Sequence, residues 1–326
     1  MAGDAPKIER GEPVALVLGA GGARGFAQIG VIEALQARGL RIVAVAGSSS
    51  GALVGGLFAA GQLGVFREWL LSMSRTDMLR LLDPVFGQPA LFEGTRLMAA
   101  LRERTGDLRI EDLPIDFTAV AVDLARQREV WLREGDLWDA VRASIAIPGV
   151  FTPHRVHGRE LVDGGLLAPL PITASRLSDA HRLIAVDMNS WPSNPPGKPA
   201  EPEPGETDGA MTPGAADPEP QSGDEAPAHS RLLAWLEHRF HRHPDGAEAA
   251  IATAAGARPY SLVEVMARSL DTMQAQIARV QMALDPPELV IRIPRDACQF
   301  YEFWRARELI EIGRIEADKA LDAAGY

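Results

Sequence analysis

The chain has 326 residues, 46% of them hydrophobic, enough for one large domain or two small ones. Its net charge of −11 argues against non-specific nucleic-acid binding, which needs a cationic surface. Cys298 is the only cysteine, so an intrachain disulfide framework is excluded, in keeping with a reducing compartment.

The opening "MAGDAPKIERGEP" is polar and has no apolar run of the secretory-signal kind, so a soluble, cytoplasmic protein is expected. "VALVL" (14–18) reads as the first strand and leads into the glycine-rich "GAGGARG" (19–25). A helix pattern occupies 26–39, and "RIVAVA" (41–46) reads as the second strand. A second glycine-rich turn, "AGSSSGA" (46–52), follows it. The apolar stretch over 42–61 is as long as a membrane helix, but its three serines and five glycines favour a strand, a turn and a buried helix. Further strands are predicted at 116–124, 128–132 and 182–188, with a helix at 136–146. Alternating strands and helices with short connections imply an α/β fold with a mostly parallel sheet covered by helices.

The pattern breaks over 192–230, which is rich in Pro, Gly and acid. It holds eight acidic residues against Lys198, so it carries −7 of the chain's −11. With almost nothing apolar to bury, it is predicted to be a disordered insertion. It divides a single domain made of 1–191 and 231–326. After it, "RLLAWLEHRFHRH" (231–243) is a short amphipathic helix pattern with arginines on its polar side. Two readings stay open for it: peripheral contact with a lipid surface, or packing on the protein's own core. His238 and His241, three apart, fit a solvated basic face better than a metal pair. A long helix is predicted at 260–284, a strand at 288–294, and a closing helix at 303–325 ended by Gly325.

Two phosphate-binding readings of the glycine-rich turns fail on named residues. A P-loop needs Lys and Ser or Thr after its last glycine, and Phe26 follows Gly25. A dinucleotide fingerprint starting at Gly19 and Gly21 has Arg24 where the third glycine belongs, and no acid ends the second strand. The second turn instead reads Gly47-Ser48-Ser49-Ser50-Gly51, a G-x-S-x-G between a strand and a helix. In a nucleophile elbow the glycines allow a sharp turn and the central serine, here Ser49, is forced up at the sheet's edge. The plainer alternative is a turn that only packs helix on sheet. If Ser49 attacks a carbonyl, Gly21 and Gly22 can offer unobstructed N–H groups to the oxyanion, with Arg24 bracing their loop.

The base is harder to find. His154 and His157 flank a predicted hairpin, and His229, His238, His241 and His243 lie in or just beyond the insertion. Asp163 in "ELVDGGLLAPLP" (160–171) follows a strand-like stretch and precedes Gly164 and Gly165, which permit close approach. It can accept the Ser49 proton as a dyad, or it can simply open a β-turn.

Together these blocks resemble the patatin-like phospholipase family, which includes plant patatins, bacterial RssA-type proteins and the catalytic domain of neuropathy target esterase. The likeness runs through Ala20 to Gly25, Gly47 to Gly51, "ASIAIPGVFTP" (143–153) and Asp163-Gly164-Gly165. It departs at Ala20, where glycine is frequent, and at Ala168-Pro169, where asparagine is frequent. The resemblance implies a three-layer α/β/α fold and a Ser49–Asp163 dyad without histidine. It also implies hydrolysis of acyl esters of phospholipids or lysophospholipids through an acyl-enzyme, with no metal or other cofactor. Acyl transfer to another acceptor, or a non-catalytic scaffold retaining the fold, are the alternatives.

Overall fold

Apolar runs with alternating faces build the centre of the molecule. In the computed structural model, which describes residues 7–9, 11–85, 87, 90–192 and 262–326, the first run forms β1 (Pro13–Leu18). Val14, Leu16 and Leu18 point to one face of the sheet and Ala15 and Val17 to the other, and all five are buried. Burial on both faces is what a parallel sheet between helix layers requires. The other main strands are β2 (Arg41–Ser48), β4 (Asp116–Asp123), β5 (Arg128–Leu132), β8 (Arg159–Asp163), β9 (Arg182–Ser190) and β10 (Leu289–Pro294). Short strands β3 (Ala90–Phe92) and β6 (Gly149–Phe151) pair apart from the main sheet, while β7 (His154–Val156) joins its edge.

The main sheet runs β10-β9-β1-β2-β4-β8-β7, with β5 also paired to β4. From β10 to β4 every pairing is parallel; β4–β5, β4–β8 and β7–β8 are antiparallel. The fold is therefore mixed α/β with a mostly parallel centre. One face is covered by α1 (Ala27–Ala37), α2 (Ser50–Ala59) and the closing helix α9 (Ala306–Ala323). The other is covered by the short α7 (Ile172–Ser175) and by Ala278 of α8 (Leu262–Leu284). Where α1 crosses α9, a β-carbon on Gly30 would strike the Ile310 carbonyl and one on Gly313 would strike that of Ala27. Glycine there lets the helix backbones touch.

The stretch from residue 62 to the third predicted strand, left without elements by the sequence, holds α3 (Leu63–Ser72), α4 (Arg75–Arg80), β3 and α5 (Thr95–Thr105). α4 starts from a capping box made by Ser74 and Asp77 and buries none of its residues. α6 (Leu137–Ser144) follows β5 and is capped by Asp136. Residues 7–192 and 270–326, as far as they are described, belong to one compact unit. Residues 197–269 cluster separately, and only 262–269 of them are described. The acidic insertion from residue 193 onward and the 231–243 pattern lie outside the described residues. Among the described residues, no helix is long and apolar enough to cross a membrane.

Candidate active site

β2 stops at Ser48, α2 begins at Ser50, and Ser49 makes the whole turn between them. Its φ of 54° and ψ of −124° lie in a region that side-chain-bearing residues rarely occupy. The turn is this tight because helix and strands nearly touch. A β-carbon on Gly51 would strike the Leu18 carbonyl of β1, and one on Gly47 would strike the Gly51 backbone. Ser49 is only 4% exposed. Its N–H donates to Ser144 Oγ (2.9 Å), and Ser144 Oγ donates in turn to the Val120 carbonyl (2.6 Å). Ser144, at the end of α6, thereby ties the turn to β4. The free N–H groups at the start of α2 sit beside Ser49 and give that end of the helix its partial positive charge.

Asp163 reaches this point from a distant part of the chain, and strand register brings it there. Ala119 and Val120 of β4 pair with both β2 and β5, so those two strands flank β4 on opposite sides. Ala121 to Asp123 pair with both β5 and β8, which puts β8 on the same side as β2. β2 ends with Ser48 opposite Val120, and β8 ends with Asp163 opposite Ala121. Two strands running in opposite directions thus end at adjacent positions of β4, one carrying the serine turn and the other the carboxylate.

The Asp163 side chain is buried. Burial pushes its pKa up to about 7, while the Ser49 hydroxyl and then the Gly165 N–H work against the rise. Gly165 N–H donates to Oδ1 at 2.7 Å. Oδ2 is buried with no hydrogen-bond partner among the described residues, so the Ser49 hydroxyl stands near the carboxylate without a closed bond. Gly164 and Gly165 are packed as tightly as the serine turn. A β-carbon on Gly164 would strike the Val120 carbonyl, and one on Gly165 would lie 2.8 Å from Ala20 Cβ.

The first glycine loop is fixed through its carbonyls. Gln28 Nε2 donates to Gly19 O (2.7 Å), Asn189 Nδ2 to Ala20 O (3.2 Å) and Arg24 Nε to Gly21 O (3.3 Å). Arg24 is itself buried; it donates to Arg295 O and pairs with Asp271 Oδ1, both at 2.8 Å. With three successive carbonyls held, the N–H groups of the loop have fixed directions. Gly21 N–H donates to Ser50 Oγ (3.1 Å). Gly22, at φ 55°, has an N–H with no partner among the described residues. Gln28, Asn189, Ser144 and Ser50 were not singled out by the sequence. The first three act through bonds spanning 9 to 169 residues, and no local pattern signals those.

Ser49, Ser50 and Gly22 open onto a cavity of about 140 Å³ whose other walls are apolar, including Leu53, Phe66, Met78 and Phe151. Among the described residues, no histidine lines this cavity. His154 is half-buried and faces Asp139 across 3.3 Å, and His157 sits in the turn of the β7–β8 hairpin. Among the described residues, no group of three or more His, Cys, Asp or Glu is arranged to hold a metal ion.

The family model described as patatin-like phospholipase matches residues 16–175. An NTE family protein of Mycobacterium tuberculosis strain H37Rv is 40% identical over 95% of this chain and 91% of its own length. Patatin-like phospholipase domain-containing protein 7 of Rattus norvegicus is 34% identical over 56% of this chain and 14% of its own. Among solved structures, VipD from Legionella pneumophila aligns with 96% of this chain and 67% of its own, at 14% identity and a TM-score of 0.42.

Proposed function

This chain belongs to the patatin-like phospholipase family, and we propose that it is a serine hydrolase of lipid acyl esters, phospholipids or lysophospholipids, working through an acyl-enzyme. The observation that carries this reading is the meeting of two groups under an apolar cavity. One is Ser49 in its strained turn; the other is a buried carboxylate with one unpartnered oxygen.

Ser49 Oγ attacks the ester carbonyl carbon, and its proton passes to Asp163 Oδ2. The carbonyl π pair moves onto oxygen as the new C–O bond forms. The glycine loop and the start of α2 stabilise this oxyanion. The intermediate collapses, the bond to the leaving alcohol breaks, and Asp163 returns the proton to the departing oxygen. The acyl chain remains on Ser49 until a water molecule, deprotonated by Asp163, repeats the sequence and releases the free acid. A carboxylate near pKa 7 is far better matched to this work at neutral pH than one near 4. The apolar walls favour an acyl chain over a charged or sugar-like group.

Hydrolysis of short-chain p-nitrophenyl esters by the wild-type protein, Ser49→Ala and Asp163→Asn tests the reading. The expected loss is about a thousandfold or more for Ser49→Ala, and roughly a hundred- to ten-thousandfold for Asp163→Asn. A wild type that folds yet releases no acid, or a Ser49→Ala variant as active as the wild type, contradicts it.

A further inference from the structure

We propose that the Ser50 hydroxyl is a direct donor to the oxyanion, carrying the Gly21 N–H to the reacting atom. This rests on the hydrolase reading above. The Ala20–Gly21 peptide is held at both ends: Asn189 Nδ2 donates to Ala20 O at 3.2 Å, and Gly21 N–H donates to Ser50 Oγ at 3.1 Å. That N–H cannot turn to a substrate without breaking both bonds. The next peptide differs. Gly21 O is held by Arg24 Nε, but Gly22 N–H has no partner among the described residues, and Gly22 lines the cavity.

Ser50 Oγ receives a hydrogen bond and gives none among the described residues. Its proton is therefore available, and Ser50 lines the same cavity as Ser49 and Gly22. Ser144 shows the contrast, since its hydroxyl both accepts from Ser49 N–H and donates to Val120 O, leaving nothing to offer. A hydroxyl that accepts from an amide is polarised into a stronger donor. The side chain has little room to move away, because it packs against Gly25, where a β-carbon would collide with it. The donors to the oxyanion are then Gly22 N–H directly and Gly21 N–H through Ser50 Oγ–H. No proton is transferred along this relay; the bonds shorten as charge develops.

The experiment compares wild type, Ser49→Ala, Ser50→Ala and Ser50→Thr on a soluble p-nitrophenyl ester, with a thermal melt of each. Ser50→Ala is expected to lose roughly a hundredfold in kcat with KM unchanged, and to melt at a modestly lower temperature because the buried Gly21 N–H loses its acceptor. Ser50→Thr, which keeps the hydroxyl, is expected to recover most of that loss. A Ser50→Ala kcat within about threefold of wild type, while Ser49→Ala is inactive, overturns this proposal and leaves the hydrolase reading intact. So does a loss that appears in KM alone. Full activity in Ser49→Ala overturns both.

Discussion

Asp163 combines two properties that oppose each other, burial and a charge-bearing role. Its raised pKa means that between about pH 4 and 7 the folded protein holds a proton that the unfolded chain has released. Stability contributed at this residue therefore falls as pH rises through that window, and above 7 the fold carries a buried charge. Asp163→Asn removes the charge. The variant should unfold at a higher temperature than wild type at pH 8, and the difference should shrink towards pH 4. Equal differences at both pH values would show that the carboxylate is not held near neutrality. Ser144 gives a second test at this scale. Ser144→Ala leaves Ser49 N–H and Val120 O unpaired in a buried place, at a cost of about 1–3 kcal/mol. It should reduce kcat as well as stability, because the nucleophile turn loses its tie to β4; a fall in melting temperature with kcat intact would deny Ser144 that positioning role.

Strands proved more legible than helices in this sequence, and burial explains why. β1, β2, β4 and β9 are buried on both faces and read as short continuous apolar runs bounded by turn residues. α3 and α5 carry only a few buried residues each, α4 none, and β3 and β6 are three residues long. The three-residue strands and α4 leave no burial pattern to find, whereas Leu63, Phe66 and Leu70 of α3 and Met98 and Leu101 of α5 keep helical spacing, a signal that is short rather than absent. The Ser49 turn was legible because its constraint is local, one serine between two glycines that a close backbone contact requires. The approach of Asp163 was not, because it depends on where β2 and β8 end along β4. Helix packing offers a test of its own. Gly313→Ala pushes a β-carbon into the Ala27 carbonyl at the α1–α9 crossing, and overpacking of this kind costs about 1–3 kcal/mol or more. A melting temperature lower by several degrees is expected, and an unchanged one would mean that the two helices are not in backbone contact.

For the molecule as a whole, the sheet gathers residues from four distant segments beneath one apolar cavity, and the size of that cavity sets an expectation for substrate. An apolar space of about 150 Å³ takes a benzene-sized guest, so the observed cavity of about 140 Å³ suits a chain of roughly six carbons. Longer chains need its wall to yield, and the wall includes Met78 of the lightly packed α4. Across a series of p-nitrophenyl esters, activity should peak near six carbons, and Met78→Ala should shift the peak to longer chains; a flat profile in both proteins would separate the cavity from acyl binding. The central claim, that Ser49 is a nucleophile driven by Asp163, is tested most directly by the rate of fluorophosphonate labelling across pH, with the modified residue identified by peptide mass spectrometry. The account predicts one label, on Ser49, at a rate that rises with pH around a midpoint near 7 and is greatly reduced in Asp163→Asn. Labelling elsewhere, or at Ser49 with no dependence on Asp163, would contradict it.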